Sequence, residues 1–194
     1  MEPMSNASEA AAAAPIVVLG VTGSIAAYKA ADLTSSLVQA GLAVEVIMTA
    51  SALRLVQPQT FFTLSQRPVV TDLWELPDWQ PGHIALAERA ALLLIAPATA
   101  NILAKLAHGI ADDALSTYAL SHTGRVVVAP AMNPRMWAHP AVQANCRLLQ
   151  ERGVRFVGPA SGRVACGEGG MGRLAALSDI LAVVLAETGR APAP

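Results

Sequence analysis

The chain of 194 residues is 54% hydrophobic and carries 13 Lys or Arg against 14 Asp or Glu, a formal net charge of −1. This balance, without a basic block, argues against a nucleic-acid-binding surface, and no apolar run approaches the ~20 residues that span a bilayer. The length predicts one domain, and the high apolar content predicts a homo-oligomer that buries the excess between subunits.

The two cysteines, Cys146 and Cys166, are too few for a disulfide framework. The sequence contains no CxxC or HExxH spacing that would predict a metal site. A reducing, cytoplasmic setting fits this cysteine usage. Residues 1–15 are rich in Ser, Ala and Glu and lack the basic and apolar regions of a signal peptide. We therefore predict that they form a disordered tail.

The first predicted elements are a β-branched strand over residues 16–21, a turn at Gly23 and a helix that ends at Gly41. Ser24 can cap this helix. Strand, glycine turn and helix together are typical of a nucleotide-binding βαβ unit, in which the free amides of the helix start bind a phosphate.

The glycine spacing argues for a mononucleotide rather than a dinucleotide. Gly20, Gly23 and Ala26 do not form GxGxxG, and no Gly-Lys-Ser/Thr follows to make a P-loop. The next strand ends in Thr49, where a dinucleotide fold would place an acid for the ribose. The alternative is that Gly23 only permits a tight turn.

The next segment predicts short elements and then a covering loop. Residues 51–65 predict one or two short helices, and residues 69–70 a short strand. Residues 72–82 contain two prolines and two tryptophans, Trp74 and Trp79, which is typical of a loop that covers a site. The alternative is that both tryptophans only pack.

A short helical segment begins at His83, and a lone histidine in that position is more often structural than catalytic. The apolar run 91–96 predicts a strand buried on both faces. Residues 97–101 follow it as a second turn into a helix, with hydroxyl and amide groups. Asp112 and Asp113 are consistent with simple capping of the helix after them.

A further strand, 125–129, leads directly into the segment 130–137. Ligands bind at the carboxyl ends of the strands in open α/β sheets. Asn133 would bring one acceptor and two donors there without burying a charge, which suits a carboxylate or an amide.

The helix after this segment is started by Pro140 and stopped by Gly153, with Cys146 on its apolar side as a core thiol. A short strand is predicted over residues 154–157.

Five glycines in residues 160–173 predict a mobile loop, in which Cys166 would be accessible and reactive. Ser178 is predicted to cap the closing helix and Gly189 to end it. The alternation of strands and helices predicts a three-layer, doubly wound α/β domain with a mainly parallel sheet.

The octapeptide Pro130-Ala-Met-Asn-Pro-Arg-Met-Trp137 resembles the PxMNxxMW signature of the flavin-dependent cysteine decarboxylases. The context His83-Ile-x-Leu, the turn 97–101, the segment 109–117 and Ala165-Cys-Gly-Glu168 are similar to the family as well. The family includes phosphopantothenoylcysteine decarboxylase of coenzyme A synthesis and the epidermin-type peptidyl-cysteine decarboxylases. The resemblance, which runs from about residue 16 to about residue 173, implies a single FMN-binding domain over residues 16–190.

The resemblance implies an FMN-dependent oxidative decarboxylation. Hydride transfer from the thiol-bearing carbon to FMN gives a thioaldehyde β to the carboxylate, and CO2 then departs to leave an enethiolate. His83 is implied as the acid/base, Asn133 as the residue that holds the substrate carboxylate, and Cys166 as the proton donor when the enethiol is reduced again. The implied FMN contacts are Gly23, Ser24, Thr49, Ala98, Thr99 and Asn101. The other implied substrate-side residues are Met132, Trp137, Gly167 and Glu168.

The same resemblance implies a homo-oligomer. Family members form trimers with the flavin at a subunit interface, and some assemble into dodecamers. We expect such an assembly here, with no metal, nucleic acid or membrane partner.

Two departures keep alternative functions open. The coenzyme A enzymes continue after Gly172-Arg173 with Met-x-Glu-Pro, whereas this chain has Leu174-Ala-Ala-Leu177, and it stops near Pro194 without a synthetase domain. A peptidyl-cysteine decarboxylase is therefore the alternative, and a non-catalytic flavin-binding regulator is the second. Pyridoxal phosphate is disfavoured because Lys29 and Lys105 have no recognisable cofactor motif around them.

Overall fold

The computed structural model describes residues 14–73, 82–163 and 169–190. Six of its strands form one sheet in the order β3-β2-β1-β4-β5-β6, in which all the neighbouring strands are parallel. The other two form a separate antiparallel hairpin. The strands are Ile16–Val21 (β1), Ala43–Met48 (β2), Val69–Val70 (β3), Ala90–Ala98 (β4), Arg125–Pro130 (β5), Arg155–Phe156 (β6), Ala160–Arg163 (β7) and Gly169–Arg173 (β8).

All the described helices but the last connect the parallel strands. A 3₁₀ turn over Ile25–Tyr28 precedes the first of them. The helices are Lys29–Gln39 (α1), Ala50–Leu53 (α2), Pro58–Ser65 (α3), Gly82–Arg89 (α4), Ala100–His108 (α5), Ala114–Ser121 (α6), Pro134–Ala138 (α7), Pro140–Glu151 (α8) and Leu177–Thr188 (α9). Within the described ranges, no helix has the length and apolar character needed to cross a membrane.

The central strands are buried on both faces and divide the core into two clusters. Successive side chains of a strand point to opposite faces, so Leu92 and Leu94 join one cluster and Leu93 and Ile95 the other. The first cluster includes side chains from α1, α3 and α9, and the second includes side chains from α4, α5, α6 and α8. The predicted three-layer, doubly wound α/β fold is thereby confirmed.

Several predictions about helix ends are confirmed. Pro140 stands at the first position of α8, and Gly189 ends α9 in the left-handed conformation with φ of 69°. The prediction for Ser178 is wrong. The N-cap of α9 is Ala176, with no side-chain cap, and Ser178 lies inside the helix because Leu177 already packs against the core.

The glycine-rich stretch is an element rather than only a loop. Its described residues form the hairpin of β7 and β8, which corrects the prediction that 160–173 has no regular structure. Gly172 shows why a strand of this hairpin contains glycine, because it lies against the turn after β5. The amide of Met132 donates to the Gly172 carbonyl at 2.9 Å, and a Cβ on Gly172 would stand 2.4 Å from the Met132 oxygen. Glycine here permits close approach of two backbones.

Other predictions lie outside the described residues. These are the tail over residues 1–13, the two tryptophans Trp74 and Trp79, and residues 164–168.

Candidate active site

Four parallel strands end at the same edge of the sheet, and each is followed by a residue that caps the next helix or turn. The cap side chains accept hydrogen bonds from amides two or three residues ahead. These bonds are Ala26 N to Ser24 Oγ at 3.3 Å, Ala52 N to Thr49 Oγ1 at 3.3 Å, Ile102 N to Thr99 Oγ1 at 3.4 Å and Arg135 N to Asn133 Oδ1 at 2.8 Å. The amide-rich starts of these segments therefore share the edge at which open α/β sheets bind ligands.

Thr22, which belongs to no predicted site, joins two of these junctions. Its hydroxyl donates to the carbonyl of Pro97 at 2.6 Å and accepts from the amide of Thr99 at 3.2 Å. Only 2% of Thr22 is exposed. The end of β1 and the end of β4 are thus held together by one buried hydroxyl whose partners lie 75 and 77 residues away.

A cleft of about 670 Å³ lies along this edge. It is bounded by the segments that follow β1, β4 and β5 and by the end of β8. Its lining residues are Gly23, Ser24, Ile25, Ala26, Tyr28, Lys29, Thr99, Ala100, Ala131, Met132, Asn133, Met136, Gly172, Arg173 and Leu174. None of these described lining residues is Asp or Glu, and two of them are cations.

Asn133 is positioned by its own helix. Because its side-chain oxygen accepts from the Arg135 amide, the amide nitrogen is the atom that can donate to a ligand. A Pro at the first position of α7 favours the helix start at this point. The half-buried amide, in a cleft lined without carboxylates, suits a carboxylate ligand.

Five of the predicted site residues line the cleft: Gly23, Ser24, Thr99, Met132 and Asn133. A Cβ on Gly23 would lie 2.4 Å from the Cβ of Ser51, so this glycine lets the first turn pack closely on α2.

Four other predicted residues are described outside the lining. Thr49 caps α2, Ala98 is fully buried in β4, and Asn101 is exposed on α5. Trp137 is half-buried and packs against the second core cluster. The predicted roles of these four residues toward a ligand stay predictions.

The remaining predicted residues are not described at the level of side chains. The backbone of His83 lies in the first turn of α4, but its side chain falls outside the described residues. Cys166, Gly167 and Glu168 also fall outside the described residues. Their roles stay predictions.

Asp112 and Asp113 have a local explanation. Asp113 forms a capping box with Ser116 at the start of α6, and both carboxylates pair with the Lys105 ammonium. Burial alone would lower the pKa of Lys105, but the two carboxylates raise it overall. The capping interpretation is confirmed for Asp113. No cluster able to hold a metal ion is present among the described residues.

A buried polar pair lies away from the cleft. Tyr118 and His122 are 0% and 9% exposed, and the Tyr118 hydroxyl lies 3.2 Å from His122 Nδ1. His122 Nε2 lies 3.2 Å from the Arg125 carbonyl, which can only accept, so Nε2 carries the proton. Burial lowers the pKa of His122 and raises that of Tyr118. Cys146 is buried, as predicted for a core thiol.

Comparison with known proteins identifies similar chains. The family model described as Flavoprotein matches residues 5–189. The coenzyme A biosynthesis bifunctional protein CoaBC of Bacillus subtilis is 51% identical over 161 residues, 81% of this chain but only 39% of that protein. The chain thus spans about two fifths of the length of this bifunctional relative.

Two further matches cover nearly the whole of the matched chain. The probable phosphopantothenoylcysteine decarboxylase of Streptococcus mutans is 45% identical over 168 residues, which is 85% of this chain and 94% of that protein. The crystal structure of the FMN-dependent cysteine decarboxylase SpaF matches with a TM-score of 0.80 and 34% identity. The match covers 91% of this chain and 98% of that one.

Proposed function

The chain belongs to the flavoprotein family of flavin-dependent cysteine decarboxylases, and we propose that it decarboxylates phosphopantothenoylcysteine with FMN as its cofactor. The observation that carries the proposal is Asn133, a neutral amide held at the end of a cleft that the described residues line without a carboxylate. The substrate assignment is supported by the decarboxylase relative of similar length. The product, after re-reduction, would be phosphopantetheine.

The residues of the cleft fit FMN. A volume of about 670 Å³ is within the range of cofactor sites, and Ile25, Met132 and Met136 offer apolar surface to a planar ring. Ser24 and Thr99 bring hydroxyls and helix-start amides to the same cleft, which suits a phosphate. When bound, FMN supplies a two-electron acceptor that takes a hydride from the thiol-bearing carbon of the substrate and later returns it.

The chain's own residues would bind the substrate and move its protons. Asn133 would donate to the substrate carboxylate and fix its orientation. Because the amide is neutral, it holds the carboxylate without the strong ground-state stabilisation that a full positive charge would give. His83 would take the thiol proton as the carbon is oxidised, and Cys166 would donate a proton to the enethiol as it is reduced. CO2 leaves because the electrons of the bond between Cα and the carboxylate carbon pass to the neighbouring thiocarbonyl.

We further propose a homo-oligomer in the cytoplasm, either a trimer or a dodecamer built from trimers. Three large apolar side chains around the cleft support the assembly, because Ile25, Tyr28 and Met136 are 64%, 60% and 48% exposed. A second copy or the cofactor would cover them.

The test is mass spectrometry of phosphopantothenoylcysteine after incubation with the FMN-loaded protein without oxygen. Catalytic loss of CO2 alone is expected. Loss of CO2 together with two hydrogens, stopping as the flavin bleaches, would contradict the return of the hydride. No reaction, together with turnover of a peptide that ends in cysteine, would replace the substrate assignment with the peptidyl alternative.

A His83→Asn variant separates an enzyme from a flavin-binding regulator. We expect it to retain FMN, measured by its visible spectrum, and to lose decarboxylation. A variant that retains FMN and full turnover would show that His83 is not the acid/base.

A further inference from the structure

The charges of the cleft stand at its two ends. Lys29 begins α1, directly after the turn that follows β1, and Arg173 ends β8, which lies against the turn after β5. The ends of β1 and β5 are separated by β4, a distance of roughly 10 Å at a strand spacing of about 4.8 Å. The cleft therefore offers two separate positions for an anion.

Two glycines of the hairpin set the position of Arg173. A Cβ on Gly162 would stand 3.2 Å from Arg173 Nη1 and 3.4 Å from Cζ, so the guanidinium lies over a backbone that has no side chain. The next residue back, Gly172, accepts from the Met132 amide at 2.9 Å, one residue from Asn133. An exposed guanidinium thus lies at the rim of the cleft, on the side of Asn133.

We propose that Arg173 binds the phosphate of the substrate and makes the enzyme selective for phosphorylated over unphosphorylated pantothenoylcysteine. This inference rests on the proposed function. A guanidinium presents two parallel donors that match a phosphate. The phosphate of FMN belongs at the other end of the cleft, beside Ser24 and Lys29. The departing carboxylate is a poor partner, since an ion pair with it would stabilise the ground state and slow the loss of CO2.

The test measures kcat/KM for phosphopantothenoylcysteine and for pantothenoylcysteine with the FMN-loaded enzyme. For Arg173→Gln we expect a fall of about tenfold with the phosphorylated substrate, the size of one charge-assisted contact at a rim, mostly through KM. With the unphosphorylated substrate the change should be below about twofold. Arg173→Lys, which keeps the charge but loses the planar pair of donors, should fall between the two.

Arg147→Gln is the matched control, because Arg147 is an exposed arginine of α8 outside the cleft lining. It should leave both substrates unchanged. The preference of the unmodified enzyme should also weaken as salt is raised, since an exposed ion pair is screened.

Three results would overturn the proposal. Equal losses for both substrates in Arg173→Gln would place the arginine on a part they share, and unchanged kinetics would give it no role. A change of preference in Lys29→Gln but not in Arg173→Gln would move the phosphate to the other end. Failure of the unmodified enzyme to decarboxylate either substrate is a different outcome, because it refutes the proposed function itself.

Discussion

The hydroxyl of Thr22 should contribute strongly to the stability of the fold, because it makes hydrogen bonds at the ends of both β1 and β4. Thr22→Val keeps the shape of the side chain and removes the bond to the Pro97 carbonyl and the bond from the Thr99 amide. A buried group that loses its partner costs about 1–3 kcal/mol. The Pro97 carbonyl is buried and would stay unpaired, whereas the half-buried Thr99 amide can bind water instead. We therefore expect a loss of about 2–4 kcal/mol in the free energy of unfolding.

Thr34→Val is the matched control. Thr34 is 0% exposed, and its hydroxyl donates to the carbonyl of Ala30 within the same helix at 2.7 Å. That carbonyl also has a helical partner, so the substitution should cost less than about 1 kcal/mol.

The assay is thermal unfolding at one protein and FMN concentration, with FMN affinity measured by fluorescence. Thr22→Val should lower the midpoint by about 5–10 °C, given roughly 2–4 °C per kcal/mol for a chain of this size. It should also weaken FMN binding about tenfold, equivalent to about 1.4 kcal/mol, because both junctions border the cleft. If Thr22→Val and Thr34→Val gave the same midpoint and the same affinity, the bridging role would be refuted.

Two further predictions concern the hairpin and the buried histidine. Gly172→Ala should displace the hairpin from the Met132 carbonyl, because a Cβ at φ of +148° would stand 2.4 Å from that oxygen. We expect kcat/KM to fall at least about tenfold. Gly169→Ala is the control, since a Cβ there meets nothing within 4 Å, and equal activity in both variants would show that the contact of Gly172 with Met132 does not matter. Because burial lowers the pKa of His122, the unfolded chain takes up the proton first, so stability should fall as pH drops below about 6.5. In urea unfolding, His122→Gln should flatten this fall between about pH 7 and 5, and an unchanged slope would exclude His122 as its source.

The features predicted from sequence are those with local causes. The strand and turn patterns placed Ser24 at a helix start and Thr49, Thr99 and Asn133 where strands end. All four cap helices or turns, and capping depends on residues only two or three positions apart. The order and direction of the strands follow from their alternation with helices.

The features missed depend on contacts between distant parts of the chain. The partners of Thr22 are 75 and 77 residues away, so its sequence context shows only a small polar residue before a glycine. The hairpin was missed for a similar reason. A glycine-rich composition does not distinguish a mobile loop from strands that must approach another backbone, and Gly172 meets Met132 from 40 residues away.

Local caps and contacts between distant segments have different roles in the cleft. Caps aim amides and side chains at the carboxyl edge of the sheet, and each cap needs only its own helix. The distances between the caps depend on Thr22 and on the docking of Gly172, which tie β1 to β4 and β8 to the turn after β5. A ligand that contacts both ends of the cleft depends on those distances. Substitutions at the two ties should therefore weaken ligand binding even though Thr22 itself does not line the cleft.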